Sequence, residues 1–150
     1  MTLRALPARR LPLVMAIGAA ISCTTASAPP VERFVVRSSW ARIADSGATS
    51  GAYLEIVNND SVSRSLVAVI TDDAAAAEVH ETMQHEEVAH MMPRTDLPIA
   101  AGAVLTMQPG GLHVMLVDMR RALAVGDSVR VRLRFSDSTD VPVTVPVKTP

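Results

Sequence analysis

One cysteine, Cys23, stands in the 150-residue chain, and no other follows it. The region beyond it therefore has no disulfide, no thiolate nucleophile and no C-x-x-C redox pair. A blue-copper electron carrier, which needs a Cys thiolate beside two histidines, is excluded. Also missing are a Ser-His-Asp order with supporting turns, a phosphate-cradling glycine loop and an H-E-x-x-H helix. Glu78, Glu81, Glu86 and Glu87 lie near histidines, yet methionine-rich surroundings make a poor zinc shell. No enzyme and no catalytic residue is expected. Charge of one sign is lacking too: the formal net charge is -1, with basic residues scattered rather than striped. That balance argues against nucleic acid or an acidic membrane surface as partner.

No hydrophobic run is long enough to span a bilayer. The apolar stretch Leu11 to Ile21, preceded by Arg4, Arg9 and Arg10, reads instead as an export signal over residues 1–22. Ala20-Ile21-Ser22-Cys23 resembles a lipoprotein processing site with Cys23 lipidated, although Ala20 stands where Leu is usual. Ordinary cleavage after Ala26 or Ala28 is the alternative. Residues 23–30 then form a small, polar linker, and residues 31–150 a single domain in the periplasmic space of a bacterial envelope, with membrane contact only through the lipid anchor. With 49% apolar and 19% charged residues the composition is globular.

Short apolar runs bounded by turn residues recur along this domain: Glu32 to Arg37, Ala52 to Val57, Ser65 to Ile70, Glu78 to Met83, Val88 to Met92, Val104 to Met107, His113 to Met119, Ser128 to Phe135 and Val141 to Val147. Ala74 to Ala77 reads as a helical turn. The pattern predicts an all-β, antiparallel Greek-key sandwich or barrel.

What the chain does have is a cluster of soft and borderline donors. All four histidines fall between His80 and His113, and His80, Met91, His113 and Met115 follow the spacing H-x10-M-x21-H-x-M. Thioether sulfur favours monovalent copper, and imidazole suits copper as well. A hairpin with Gln84 to Glu87 as its loop would set His80 opposite Met91, while His113 and Met115, two apart, share a strand face. Pro109-Gly110-Gly111 supplies a turn just before that strand. His85 and His90 remain auxiliary ligands, for Cu(II). Met83, Met107 and Met119 read as packing, with Met83 a substitute ligand, and Met92 should turn away from Met91 and pack.

These residues resemble the signature of the PCuAC family of periplasmic copper chaperones. His80-Glu81, Leu97-Pro98-Ile99 with Ala101-Gly102, and Pro109 to Leu116 (PGGLHVML) are similar to family segments, as are Trp40-Ala41-Arg42, Gly51-Ala52-Tyr53 and Asn58. The resemblance spans roughly Val36 to Val147. It implies a cupredoxin-like fold, Cu(I) held by His80, Met91, His113 and Met115, and delivery of copper toward the respiratory oxidases, commonly the dinuclear centre of cytochrome oxidase; a monomer is expected. The implied partner is a copper-receiving oxidase subunit or a thiol-bearing assembly protein. Thr82, Glu86-Glu87 and Met92-Pro93-Arg94 depart from the family pattern, and up to Pro150 there is no His/Met-rich tail to suggest a separate Cu(II) site. Copper buffering, or a metal-free structural β-sandwich lipoprotein, are the competing functions.

Overall fold

Alternation of apolar and charged side chains is cleanest in β9 (Ser128–Phe135). Val129, Val131, Leu133 and Phe135 are buried there, while Arg130, Arg132 and Arg134 are exposed. Successive strand side chains point to opposite faces, so this sequence must lie between a core and water. The computed structural model describes residues 32–85 and 88–149, excepting the side chains of residues 84, 85, 88 and 89. The expected export signal, Cys23 and most of the linker thus lie outside the described residues, as do Glu86 and Glu87.

Among the described residues all regular structure is strand. In chain order these are β1 (Phe34–Ala41), β2 (Ser50–Asn58), β3 (Arg64–Thr71), β4 (Ala74–His85), β5 (Val88–Pro93), β6 (Leu97–Ile99), β7 (Val104–Thr106), β8 (Leu112–Met119), β9 and β10 (Asp140–Pro146). One sheet runs β1-β2-β8-β4-β5, with β7 also paired to β2, and the other runs β10-β9-β3-β6. All pairings between strands are antiparallel. A parallel bridge between Ala41 and Val147 ties the two sheets together.

The core lies between the sheets. Leu54, Ile56, Val114 and Leu116 meet Leu66, Leu133, Phe135 and Val145, and the Phe34 and Phe135 rings stack with centroids 3.5 Å apart. Met107 and Met119 are buried, as their packing reading required. Asn58 is a polar staple within this core. Its Nδ2 donates to the carbonyls of Val62, Ile99 and Ala100, at 2.9, 2.9 and 3.2 Å, joining the end of β2 to β6.

Two local expectations are corrected and one strand is added. Ala74 to Ala77 is not a helical turn but the start of β4, where Ala74 pairs with Met119 and Ala77 with Leu116. Four alanines cannot nucleate a helix against a ready strand partner. β6 escaped notice because it is three residues long and contains Pro98, which an edge strand tolerates. In the β4–β5 hairpin, Thr82 rather than His80 lies opposite Met91, while His80 opposes Pro93 and pairing closes at His85 and Val88. A shift of two preserves the face, so Met91 still shares a side with His80.

Candidate metal centre

β8 is the backbone of the site. It lies between β2 and β4, and its Val114 and Leu116 enter the core while His113 and Met115 project from the opposite face. Cross-strand register then selects their neighbours. On β4, His80 is the partner of His113 and Glu78 the partner of Met115. On β2, Gly51 is the partner of Met115. Met91 comes from β5, on the same side as His80.

Both histidines are buried, His80 to 8% and His113 to 7% exposure, with ring centroids 6.2 Å apart. A metal–nitrogen bond of about 2.0 Å places a ring centre about 3 Å from the ion, so this separation suits one ion shared by the two rings. Met91, His113 and Met115 line one open pocket of about 340 Å³, together with Tyr53, Gly51 and Arg42. His80 is not part of its wall but stands beside His113. Met91 is 60% exposed. The structure thus brings three of the four sequence-predicted residues to one pocket and pairs the fourth with His113.

Hydrogen bonds orient both rings. His113 Nδ1 lies 3.0 Å from the Gly111 carbonyl oxygen. A carbonyl only accepts, so Nδ1 carries the proton and Nε2 keeps its lone pair. That carbonyl also accepts from Thr82 N at 3.1 Å, fastening the turn before β8 to the hairpin. Gly111 N donates to Gln108 O at 3.1 Å and Gly110 has φ +80°, a type II pattern with Pro109 and Gly110 at its centre. Position 110 therefore calls for glycine.

His80 is held differently. Its Nε2 donates to Glu78 Oε2 at 2.9 Å. Its Nδ1 is buried with no hydrogen-bond partner. The other such atom among the described residues, Arg64 Nε, at least has the Asp137 carboxylate 3.4 Å away. A buried imidazole nitrogen with a free lone pair demands an explanation, and a metal ion is one. The donors available for an ion are two imidazole lone pairs and two thioethers, an uncharged set with soft members. Among the described residues no three His, Cys, Asp or Glu side chains gather as a harder alternative.

Two residues named in the sequence were given no role at this site. Glu78 sits two residues before His80, hence on the same strand face, and that spacing was the available signal. Tyr53 packs between Trp40, with centroids 4.5 Å apart, and His113, at 6.4 Å. A methyl group on Gly51 would stand 3.0 Å from the Tyr53 hydroxyl oxygen, so glycine leaves room for this ring. His90, an expected auxiliary ligand, opposes Met83 on the other face of the hairpin, away from His80. His85 belongs to β4, and its side chain lies outside the description.

Over residues 34–147 the chain matches the family described as "Putative lipoprotein LpqE-like", and it belongs to that family. "Putative lipoprotein Lxx21020" of Leifsonia xyli subsp. xyli (strain CTCB07) is 34% identical over 114 residues, covering 75% of this chain and 68% of that one. The solution structure of CuI-DR1885 from Deinococcus radiodurans is 29% identical with a TM-score of 0.54, over 84% of this chain and 83% of that one. The copper-bound PCuAC domain from PmoF2 has a TM-score of 0.65 at 22% identity, over 79% of this chain and 95% of that domain. The fold is therefore the cupredoxin-like β-sandwich of PCuAC domains.

Proposed function

We propose that this LpqE-like protein is a Cu(I)-binding chaperone of the bacterial envelope, with His80, Met91, His113 and Met115 as ligands. The observation that carries the reading is the opposed pair His80 and His113, each with one nitrogen fixed by an acceptor and the other free, beside the thioether pocket. His113 would bind through Nε2 and His80 through Nδ1. Glu78 and the Gly111 carbonyl then act as the outer partners that metal-bound histidines habitually have. The likeness to CuI-DR1885, which holds Cu(I), supports the choice of ion. Thioethers carry no proton to lose and form no disulfide, so the site suits an oxidising compartment. Export by the signal in residues 1–22, lipidation at Cys23 and a tether in residues 23–30 would hold the domain at the membrane surface.

Delivery rather than storage is favoured by Met91. At 60% exposure it is the most accessible of the four ligands. An incoming thiol or thioether can displace it first, without opening the buried histidine pair. We assign the acceptor, following the family resemblance, to an oxidase copper centre or the thiol-bearing protein that assembles it. Deleting the gene tests this. Loss of oxidase activity that added copper restores is expected, whereas copper sensitivity with normal oxidase activity would make the protein a buffer. For the ligands, Cu(I) titration against a competing chelator is decisive. A His113→Ala/Met115→Ala variant that binds as tightly as wild type would refute the assignment.

A further inference from the structure

The β4–β5 hairpin has a second donor-bearing face. Met83 and His90 are direct cross-strand partners, and Met92 stands two residues along β5 from His90, opposite Glu81. Residues 83, 90 and 92 therefore share the face opposite to the one bearing His80, Thr82 and Met91. Directly opposed residues have Cβ atoms roughly 4.5–5.5 Å apart, and diagonal neighbours about 7–8 Å, within reach of long side chains. Packing does not account for these residues. Met83 is 48% and Met92 53% exposed, and His90 is exposed as well. The expectation that Met92 packs is thereby overturned.

The chemistry of the group is selective. Two thioethers and one imidazole are uncharged donors, soft enough to prefer Cu(I). Glu81, which opposes Met92, is engaged by Arg94 Nη1 at 2.9 Å, so its charge is already matched. Hard divalent cations want carboxylate and carbonyl oxygen, which these three side chains do not supply.

The geometry points to a second, exposed Cu(I) site formed by Met83, His90 and Met92, back to back with the first across one hairpin. Its three donors all reach solvent, whereas the first site has two buried histidines. The second site therefore binds more weakly and exchanges faster. Adjacent residues of β5 serve opposite faces, Met91 the first site and His90 and Met92 the second. Such a site suits initial capture of Cu(I) from solution, or a waiting position for a second ion. The inference deepens the copper reading and rests on it only for the choice of ion.

Anaerobic Cu(I) titration of the full chain against a competing chelator tests it, with circular dichroism checking each variant's fold. Wild type is expected to take two equivalents in separable steps. The Met83→Leu/Met92→Leu variant should take one, with the tight step unmoved, and His90→Gln should weaken only the second step. The His113→Ala/Met115→Ala variant should keep one weak equivalent. A Met83→Leu/Met92→Leu curve superimposable on wild type would overturn the second site. So would a His113→Ala/Met115→Ala variant that binds none, an outcome that leaves the first site standing. If that variant still binds the tight equivalent, the first site's ligand assignment falls instead.

Discussion

The two sheets share one core but show water very different outer faces. On β9 and β10 the outer face is charged and partly paired: Asp140 accepts from Arg134 Nε and Nη2 at 2.8 Å each, and Arg132 Nε lies 3.5 Å from the same carboxylate. On β8, β4 and β2 the outer face holds buried imidazoles, a thioether and an aromatic row instead. Exposed ion pairs such as those of β9 contribute little to stability and keep a surface soluble. Burying two histidines, one with an unpartnered nitrogen, works against stability. That cost is what favours this side as the proposed copper-binding face.

The strongest contrast is in metal binding. His113→Ala/Met115→Ala should lower Cu(I) affinity by at least about 1,000-fold, roughly 4 kcal/mol, while Arg132→Ala/Arg134→Ala leaves it unchanged. Chelator competition on both variants checks this, and equal losses would erase the distinction between the faces. Stability should divide the other way. Phe135→Ala, which empties a ring stacked on Phe34 in the shared core, is expected to destabilise by about 3–5 kcal/mol in urea unfolding. His113→Ala should change stability far less.

A smaller effect sharpens the account of how His80 is held. Glu78→Gln removes the anionic acceptor but keeps a side chain of similar shape. Cu(I) affinity should fall about 10- to 100-fold, the range typical for an outer-shell partner of a metal-bound histidine. An unchanged affinity would mean that the 2.9 Å contact with His80 Nε2 does not orient the ring.

The smallest expected effect belongs to the charged face. Its hydrogen bond from Arg134, then the charges of Arg134 and Arg132, hold the Asp140 carboxyl below the usual carboxylate range. A depressed folded-state value means that the stabilisation is fully present above the unfolded value of about 3.9 and is lost as pH falls through the folded one. Asp140→Asn should therefore lower stability slightly above about pH 4, where the carboxylate is paired, and flatten the acid limb so that the two profiles converge at lower pH. Acid melts of the two proteins would reveal it, and coincident profiles would deny Asp140 any part in acid sensitivity.

How far this arrangement can be read from residues alone varies by element. β9 is legible because its alternation runs unbroken for eight residues. The His113 and Met115 pair is legible because two-residue spacing on a strand fixes the face. Register in the β4–β5 hairpin is not, since it depends on where the turn closes, and the actual pairing is displaced by two residues. Nor does any local pattern announce that His80 and His113 oppose each other, because β4 and β8 are far apart in the chain and meet only through sheet topology. Tyr53 and the Asn58 staple share that difficulty. Each acts across strands, and such partners emerge only once the strands are ordered.

The most direct test is residue-resolved NMR of the full chain with one equivalent of Cu(I), following methionine methyl and histidine ring nitrogen signals. The signals of Met91, Met115, His80 Nδ1 and His113 Nε2 should move together, with His80 Nε2 and His113 Nδ1 remaining protonated. If those four stay fixed while copper is bound elsewhere, the opposed-histidine site is not the copper site.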